Sequence, residues 1–299
     1  MKNILITGSE GVIGKELQKM LRTNYVVFGL DLHDADIIAD VEDHVLMNSI
    51  INKYNPDVII HCAANKSIAW CENNPSLAKK NHYDATINLA KLSSEKSIHF
   101  IYISSDIVFD GSKGNYLIHD KRNPINVYGQ LKKTVEDALL KYDNVAICRT
   151  ALVFGRTPEN LKGELLDSLN SAQLKVQSHI LDHTVTRLAS GKFVELCVDE
   201  FMSPTTTILL AQQIKQVVKN NFIGIAHCSS PDRISRYDLG RLIAKVFNLP
   251  INLIKPVIHS DPLRPLDVSL NTVSTEESLS FKFPTLEKTI IQLRENYDY

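Results

Sequence analysis

Two short stretches of this chain pair residue types able to move a proton to or from a carbonyl group. They are Tyr128-Gly129-Gln130-Leu131-Lys132 and, upstream, Ser104-Ser105-Asp106. Carbonyl reduction needs a hydride donor, a proton donor for the developing alkoxide and a fixed polar group on the carbonyl oxygen. A tyrosine, with an ordinary pKa of about 10, shuttles protons poorly unless a neighbouring cation lowers that value. Lys132 stands four residues after Tyr128, so on a helix both side chains leave the same face and the ammonium can stabilise a tyrosinate. Ser105 supplies the hydroxyl for the carbonyl oxygen, with Ser104 as the alternative. The same Ser-Ser-Asp also reads as a plain strand-ending turn. With 10 tyrosines in the chain, a Tyr-x-x-x-Lys match arises readily by chance, so its place matters more than its pattern. It opens a helix announced by Asn123-Pro124 and follows the fourth strand, which puts it at the carboxyl edge of a sheet.

A hydride donor is suggested at the other end of that edge. Ile4-Leu5-Ile6-Thr7 runs into Gly8-Ser9-Glu10-Gly11-Val12-Ile13-Gly14 and then into the helical pattern Lys15 to Leu21. A strand, a glycine turn and a helix N-terminus together receive a pyrophosphate: Gly8 allows the turn, Gly11 lets backbone approach phosphate, and Gly14 lets the helix pack on the sheet. Spaced glycines also occur in ordinary βα loops. Asp31 closes the second strand about 20 residues further on, where an acid accepts from the adenosine ribose hydroxyls and repels a 2′-phosphate. The expected cofactor is therefore NADH or NADPH, with NADH favoured by Asp31. Only His33 is placed to offset that repulsion, and Asp31 alone also reads as a solvated strand-end carboxylate. Asp40-Val41 is expected to meet the adenine, and Ala63-Ala64-Asn65 to pass over the cofactor with small side chains.

The elements that must position these residues alternate. Strand-like runs occur at Ile4 to Thr7, Tyr25 to Leu30, Asp57 to Cys62, His99 to Ser104, Val145 to Arg149 and Gly224 to Cys228, with helical patterns at Val45 to Tyr54, Pro75 to Glu95, Leu131 to Lys141 and Ile208 to Lys219. Continuously apolar strands separated by helices predict a doubly wound, mostly parallel α/β fold. After Phe154-Gly155, helical stretches at Leu161 to Val176 and Ser235 to Phe247 and short proline-bearing segments predict a smaller substrate-binding cap. Residues 1–155 form the expected dinucleotide-binding core, with 193–228 returning to it; 156–192 and 229–299 form the substrate-binding part.

Composition excludes other classes. A net charge of −1 over 299 residues offers no electrostatic footprint for nucleic acid, and no apolar run reaches the length of a membrane span. Met1-Lys2 leads directly into the first strand, leaving no room for a signal peptide, so a soluble, cytoplasmic protein is expected. Cys62, Cys71, Cys148, Cys197 and Cys228 contain no C-x-x-C pair; reduced, buried thiols are expected rather than a metal site.

Taken with Asp106-Ile107-Val108-Phe109-Asp110-Gly111, Pro124-x-x-x-Tyr128, Arg149-Thr150, Ser203-Pro204-Thr205 and Arg264-Pro265-x-x-x-x-Leu270-Asn271-Thr272, these motifs make the chain resemble an extended short-chain dehydrogenase/reductase. Within that superfamily it is most similar to the dTDP-4-dehydrorhamnose reductases and the related regulatory β subunit of methionine adenosyltransferase. The resemblance covers nearly the whole chain. It implies a modified Rossmann fold, an NAD(P)H site at Gly11-Val12-Ile13, Asp31, Asp40-Val41 and Ala63-Ala64-Asn65, and a Ser105, Tyr128 and Lys132 triad. The implied substrate is a nucleotide-activated 4-keto-6-deoxy sugar, met by Ser105, Asp106 and the residue at Leu152. Alternatives are a non-catalytic regulatory subunit or a sugar-nucleotide epimerase or dehydratase, whose usual acid pair is incomplete at Asp106-Ile107.

Departures bear on the sugar. Leu152 stands where the reductases place a sugar-stacking tryptophan, and Ile68-Ala69-Trp70 replaces a usual Val-Asp-Lys; Trp70 either offers a substitute ring or is a packed loop residue. Arg264 is a candidate for the substrate diphosphate or a surface ion pair. The acids that chelate a dimer-bridging metal in some relatives have no match, so no metal is expected, and a homodimer is compatible with the sequence but not indicated by it.

Overall fold

Apolar runs become the strands of one parallel sheet in a computed structural model of the chain, which describes residues 1–157, 169, 171 and 179–295. Six strands come first: β1 (Asn3–Thr7), β2 (Val26–Asp31), β3 (Ile37–Ile38), β4 (Val58–His61), β5 (His99–Ser105) and β6 (Val145–Thr150). Three short pairings follow, of β7 (Val153–Phe154) with β10 (Thr205–Thr206), β8 (Val194–Cys197) with β13 (Ile254–Val257), and β9 (Phe201–Met202) with β12 (Ile234–Ser235). The strand β11 (Gly224–His227) rejoins the main sheet, whose order is β11-β6-β5-β4-β1-β2-β3 with every pairing parallel. Strand order reverses between β1 and β4, and that switch point opens a crevice at the carboxyl ends of the strands.

Residue alternation sends each strand's side chains to two cores. Ile4, Ile6, Ile60 and Ile101 pack with Leu17 of helix α1 (Val12–Leu21) and with Leu210, Ile214 and Val217 of the helix Thr207–Asn220. Leu5, Ile59, Phe100 and Ile147 face the other way, against α2 (His44–Tyr54), α5 (Ala85–Glu95) and α6 (Val127–Leu139) through Met47, Leu89 and Val135. Each such fully buried side chain contributes about 1.5–3 kcal/mol. A third core joins the helices Ile180–Ala189, Arg236–Val246 and Leu286–Glu295 to β8 and β13. No described helix is long and apolar enough to cross a membrane.

Several elements differ from expectation for local reasons. The helix expected over Pro75 to Glu95 is α4 (Pro75–Lys79), a π turn over Lys80–Asp84, and α5. The helix expected from Leu131 starts at Val127, because Asn126 Oδ1 accepts from the Gly129 N–H at 2.7 Å. Trp70 lies on a short helix, α3 (Ile68–Asn73), capped by Ser67, and not in a loop. Of residues 193–228, the helix Thr207–Asn220 and β11 rejoin the sheet while β8 pairs outside it. The stretch Leu161 to Val176 falls mostly outside the described residues.

One buried ion pair fixes α6 to the sheet. Glu136 is fully buried and takes three contacts from Arg149 of β6, Nε to Oε1 at 3.0 Å and to Oε2 at 3.3 Å and Nη2 to Oε2 at 2.8 Å, plus Arg122 Nη1 at 2.9 Å and Ser104 Oγ at 2.6 Å. Removing one partner of such a pair leaves an uncompensated buried charge. Arg149→Ala is expected to lower the unfolding free energy by about 3 kcal/mol in urea titrations, and a change below about 1 kcal/mol would show that Glu136 does not rely on it.

Candidate active site

The glycine loop lies at the switch point. Gly8 has φ +69°, and a Cβ on it would sit 2.7 Å from the Ala63 nitrogen. A Cβ on Gly14 would overlap the Gly8 carbonyl and the Ser9 backbone, so Gly14 lets α1 close on the loop that precedes it. Gly11 meets only the Gly8 oxygen, at 3.4 Å, and no side chain caps α1 after it. The first turn of α1, with Val12 and Ile13, thus begins without a side-chain cap, a geometry that suits an anion such as a dinucleotide's pyrophosphate. Asp31 sits beside it: Oδ2 accepts from the Glu10 N–H and Oδ1 from the Leu32 N–H, both at 2.8 Å. Asp40 is exposed and accepts from the Glu42 N–H, while Val41 is buried. Ala63 and Ala64 follow β4, and Asn65 is held on both sides, its N–H by Asn81 Oδ1 at 2.9 Å and its carbonyl by His82 Nε2 at 2.8 Å.

The π turn puts His82 where a regular helix would not. Its ring stands edge-on to Tyr128, centroids 5.5 Å apart, so one imidazole contacts both Asn65 and Tyr128. Burial, with Lys132 adding to it, lowers His82 to about 3, and the same causes lower His61 to about 3 between Thr7 and Thr86. Both imidazoles are therefore neutral at physiological pH.

At the carboxyl edge, β5 and α6 bring Ser105, Asp106, Tyr128 and Lys132 together. Tyr128, Lys132 and Glu136 recur every four residues along one face of α6. Lys132 Nζ donates to the Ile103 carbonyl at 2.9 Å and lies 5.7 Å from the Tyr128 ring centroid and 4.6 Å from that of Tyr102. Burial lowers its ammonium to about 8, against an opposing pull from Glu136. Tyr128, expected to be lowered by Lys132, is instead pushed up by burial, which outweighs its hydrogen bond with Ser105. The two serines separate: Ser104 Oγ is committed to Glu136, and Ser105 Oγ faces Asp106, Ile107 and Tyr128.

Arg264 is apart from this cluster. It lines a cavity of about 280 Å³ with Cys197, Glu200, Arg236 and His259, and the Leu263 carbonyl ties its loop to Asn126 at the head of α6, at 2.7 Å. Arg264 pairs with Asp261 at 3.1 Å. Arg236 grips Glu200 and acts electrostatically on Asp106. Donor atoms of Cys197, Glu200 and His259 lie within 4.8 Å of one another, but Arg236 already holds the Glu200 carboxylate and Arg264 shares the space, which favours an anion over a cation. Leu152 is half-buried and packed between two core clusters. All five cysteines are free thiols, with Cys62 and Cys197 half-buried and the other three buried. Arg236, Glu200 and His259 at the Arg264 cavity and His82 beside Tyr128 carry no spacing signal in the sequence, since each comes from a distant segment without a local motif.

The RmlD substrate binding domain family matches residues 1–180 and 177–298. The β subunit of methionine adenosyltransferase 2 from Bos taurus is 28% identical over 264 residues, 87% of this chain and 76% of that protein. The dTDP-4-keto-6-deoxy-D-glucose reductase of Streptomyces niveus is 29% identical over 269 residues, 87% and 85% of the two chains. In fold, the chain matches a dTDP-4-dehydrorhamnose reductase from Bacillus anthracis, solved in complex with NADP, with a TM-score of 0.85 at 22% identity over 99% and 98% of the two chains.

His61 and His82 carry a pH signature. Both have folded values of about 3 against an ordinary 6.5, so between those limits the unfolded chain binds more protons and stability rises with pH. The chain is expected to lose stability in urea titrations as pH falls from about 6.5 toward 4, and His82→Gln to flatten that slope. Imidazole NMR resonances of His61 and His82 that titrate near pH 6.5 would contradict the assignment.

Proposed function

The chain belongs to the RmlD substrate binding domain family, and on that footing we propose that it is a cytoplasmic NAD(P)H-dependent reductase of a nucleotide-activated 4-keto-6-deoxy sugar. The observation that carries this reading is the convergence of Ser105, Tyr128 and Lys132 on the sheet edge that also holds the open helix end at Gly11. Both the Streptomyces niveus relative and the Bacillus anthracis structure carry reductase names, and the latter was solved with NADP.

The glycine loop, Asp31, Asp40-Val41 and Ala63-Ala64-Asn65 would hold a reduced nicotinamide dinucleotide, which would supply the hydride. Tyr128, held neutral by burial, gives its phenolic proton to the keto oxygen as the alcohol forms, and solvent later restores that proton. Lys132 places its charge beside the tyrosinate so produced, fixed by the Ile103 carbonyl. Ser105 orients the keto oxygen. Arg264 and Arg236 offer the cavity beside α6 to the substrate diphosphate, for which a guanidinium fork is well matched.

The similarity to the methionine adenosyltransferase β subunit supports a second reading, a binding or regulatory subunit without turnover. Cofactor oxidation assayed against dTDP-, UDP-, GDP- and CDP-linked 4-keto-6-deoxy sugars separates the two. Turnover on one of them, reduced at least about 10²-fold by Tyr128→Phe with NADH affinity unchanged, is the expected result. No turnover across the panel, together with a stoichiometric protein partner, would establish the regulatory reading instead.

Asp31 is expected to make NADH the better cofactor, and Asp31→Ser to move the ratio of kcat/KM toward NADPH. A chain that uses NADPH at least tenfold better, about 1.4 kcal/mol of discrimination, would show that Asp31 does not oppose the 2′-phosphate.

A further inference from the structure

Ser105 has one hydroxyl hydrogen, and two neighbours hydrogen-bond with its oxygen: Ser105 Oγ lies 2.9 Å from Asp106 Oδ1 and also meets Tyr128. Its oxygen also accepts from the Ile107 N–H at 3.2 Å. A keto oxygen has no hydrogen to give, so Ser105 can hold it only by donating. While Asp106 is a carboxylate, which only accepts, the Ser105 hydrogen is claimed by it and Ser105 offers the site nothing but a lone pair. Nothing about Ser105 alone can reverse this polarity.

We propose that Asp106 is a positioning residue that works in its protonated form, donating to Ser105 Oγ so that the Ser105 hydrogen is released toward the keto oxygen. The proposal rests on the reductase reading above. No proton leaves Asp106 in the reaction. The carbonyl carbon gains the hydride, the oxygen gains the Tyr128 proton, and Asp106 sets only the direction of the Ser105 hydrogen bond.

The surroundings suit a carboxyl group that spends part of its time neutral. Asp106 is 4% exposed, at the start of a single 3-10 turn, Asp106–Val108, after β5. Facing it are Ser105 from β5, Tyr128 from α6 and Arg236 from the helix Arg236–Val246. Arg236 is the one cation among them, and its guanidinium is shared with Glu200. Burial is the largest influence and raises Asp106 to about 7, against the Ser105 hydrogen bond, Arg236 and the backbone N–H groups of Ile107 and Asp106 itself. A carboxylate held for structure alone would be served by a direct cationic partner, as Glu136 is by Arg149.

The test is the pH dependence of kcat/KM, which reports the free protein, measured on dTDP-4-keto-6-deoxy-D-glucose or whichever sugar of the panel is turned over. The wild-type chain is expected to decline as pH rises through about 7. Asp106→Asn, whose amide donates but does not titrate, should shift that decline upward by about one pH unit, to the limb that belongs to Lys132. Asp106→Ala should lower kcat about tenfold with KM nearly unchanged, and should add nothing in a Ser105→Ala background, since Asp106 acts only through Ser105. If melting curves show that Asp106→Asn does not fold, Asp106→Ser provides the same non-titrating donor. An unshifted decline in the non-titrating variant, or an equal loss from Asp106→Ala with and without Ser105, overturns the proposal and leaves the reductase reading standing. Absence of turnover on every sugar removes the reductase reading and the proposal together. Independently of activity, a wild-type minus Asp106→Asn infrared difference spectrum should show a protonated carboxyl band at about pH 6 that is gone by about pH 8.5; an Asp106 ionised at the lower pH overturns the proposal.

Discussion

The buried contact between Glu136 and Arg149 is the constraint on which the chemistry depends. Glu136 is the third residue of the four-residue series that begins with Tyr128 and Lys132, so anchoring it fixes both the rotation and the height of α6. Arg149 comes from β6, Ser104 from β5 and Arg122 from the segment before α6. Three separate pieces of chain therefore agree on where one helix face points. A hydrophobic contact could hold α6 down but could not index it, because apolar surfaces slide at little expense while a multiply bonded carboxylate does not. The same arrangement sorts the two serines, drawing Ser104 into the anchor and leaving Ser105 to the site.

The sheet is legible in the sequence because parallel strands covered on both faces are continuous apolar runs, and Ile4-Leu5-Ile6 or Val58-Ile59-Ile60 has few other readings. The glycine loop is legible because its spacing answers a steric demand, visible in how closely Gly8 and Gly14 meet neighbouring backbone. What sequence does not reveal is whatever depends on one extra residue or on a long-range meeting. The π turn at Lys80–Asp84 inserts a residue into an otherwise helical pattern and redirects His82 toward Tyr128, yet the apolar periodicity on either side is undisturbed. Likewise, Arg236 and Glu200 are separated in sequence and meet only because β9 and β12 pair.

Burial also alters the electrostatics that spacing suggests. A lysine four residues after a tyrosine implies a cation lowering a phenol, but here burial moves the two groups in opposite directions, the phenol up and the ammonium down. Each is shifted toward its neutral form, as low-dielectric surroundings require. Asp106 is moved the same way. At neutral pH the Lys132 ammonium, lowered only to about 8, is the cation within the site, and Arg236 and Arg264 add theirs in the adjoining cavity.

The return of β11 to the sheet has a consequence for how the chain is made. β6 is complete at Thr150, but its outer neighbour, β11, begins only at Gly224. During synthesis at about 5–20 residues per second, the edge of β6 waits on the order of several seconds with unpaired backbone groups. Cys148 lies on that strand and Cys228 directly follows β11, so the Cys148 side of the core stays uncovered until β11 arrives. Of all the main sheet, this edge is the one a ribosome-bound chaperone has most reason to cover.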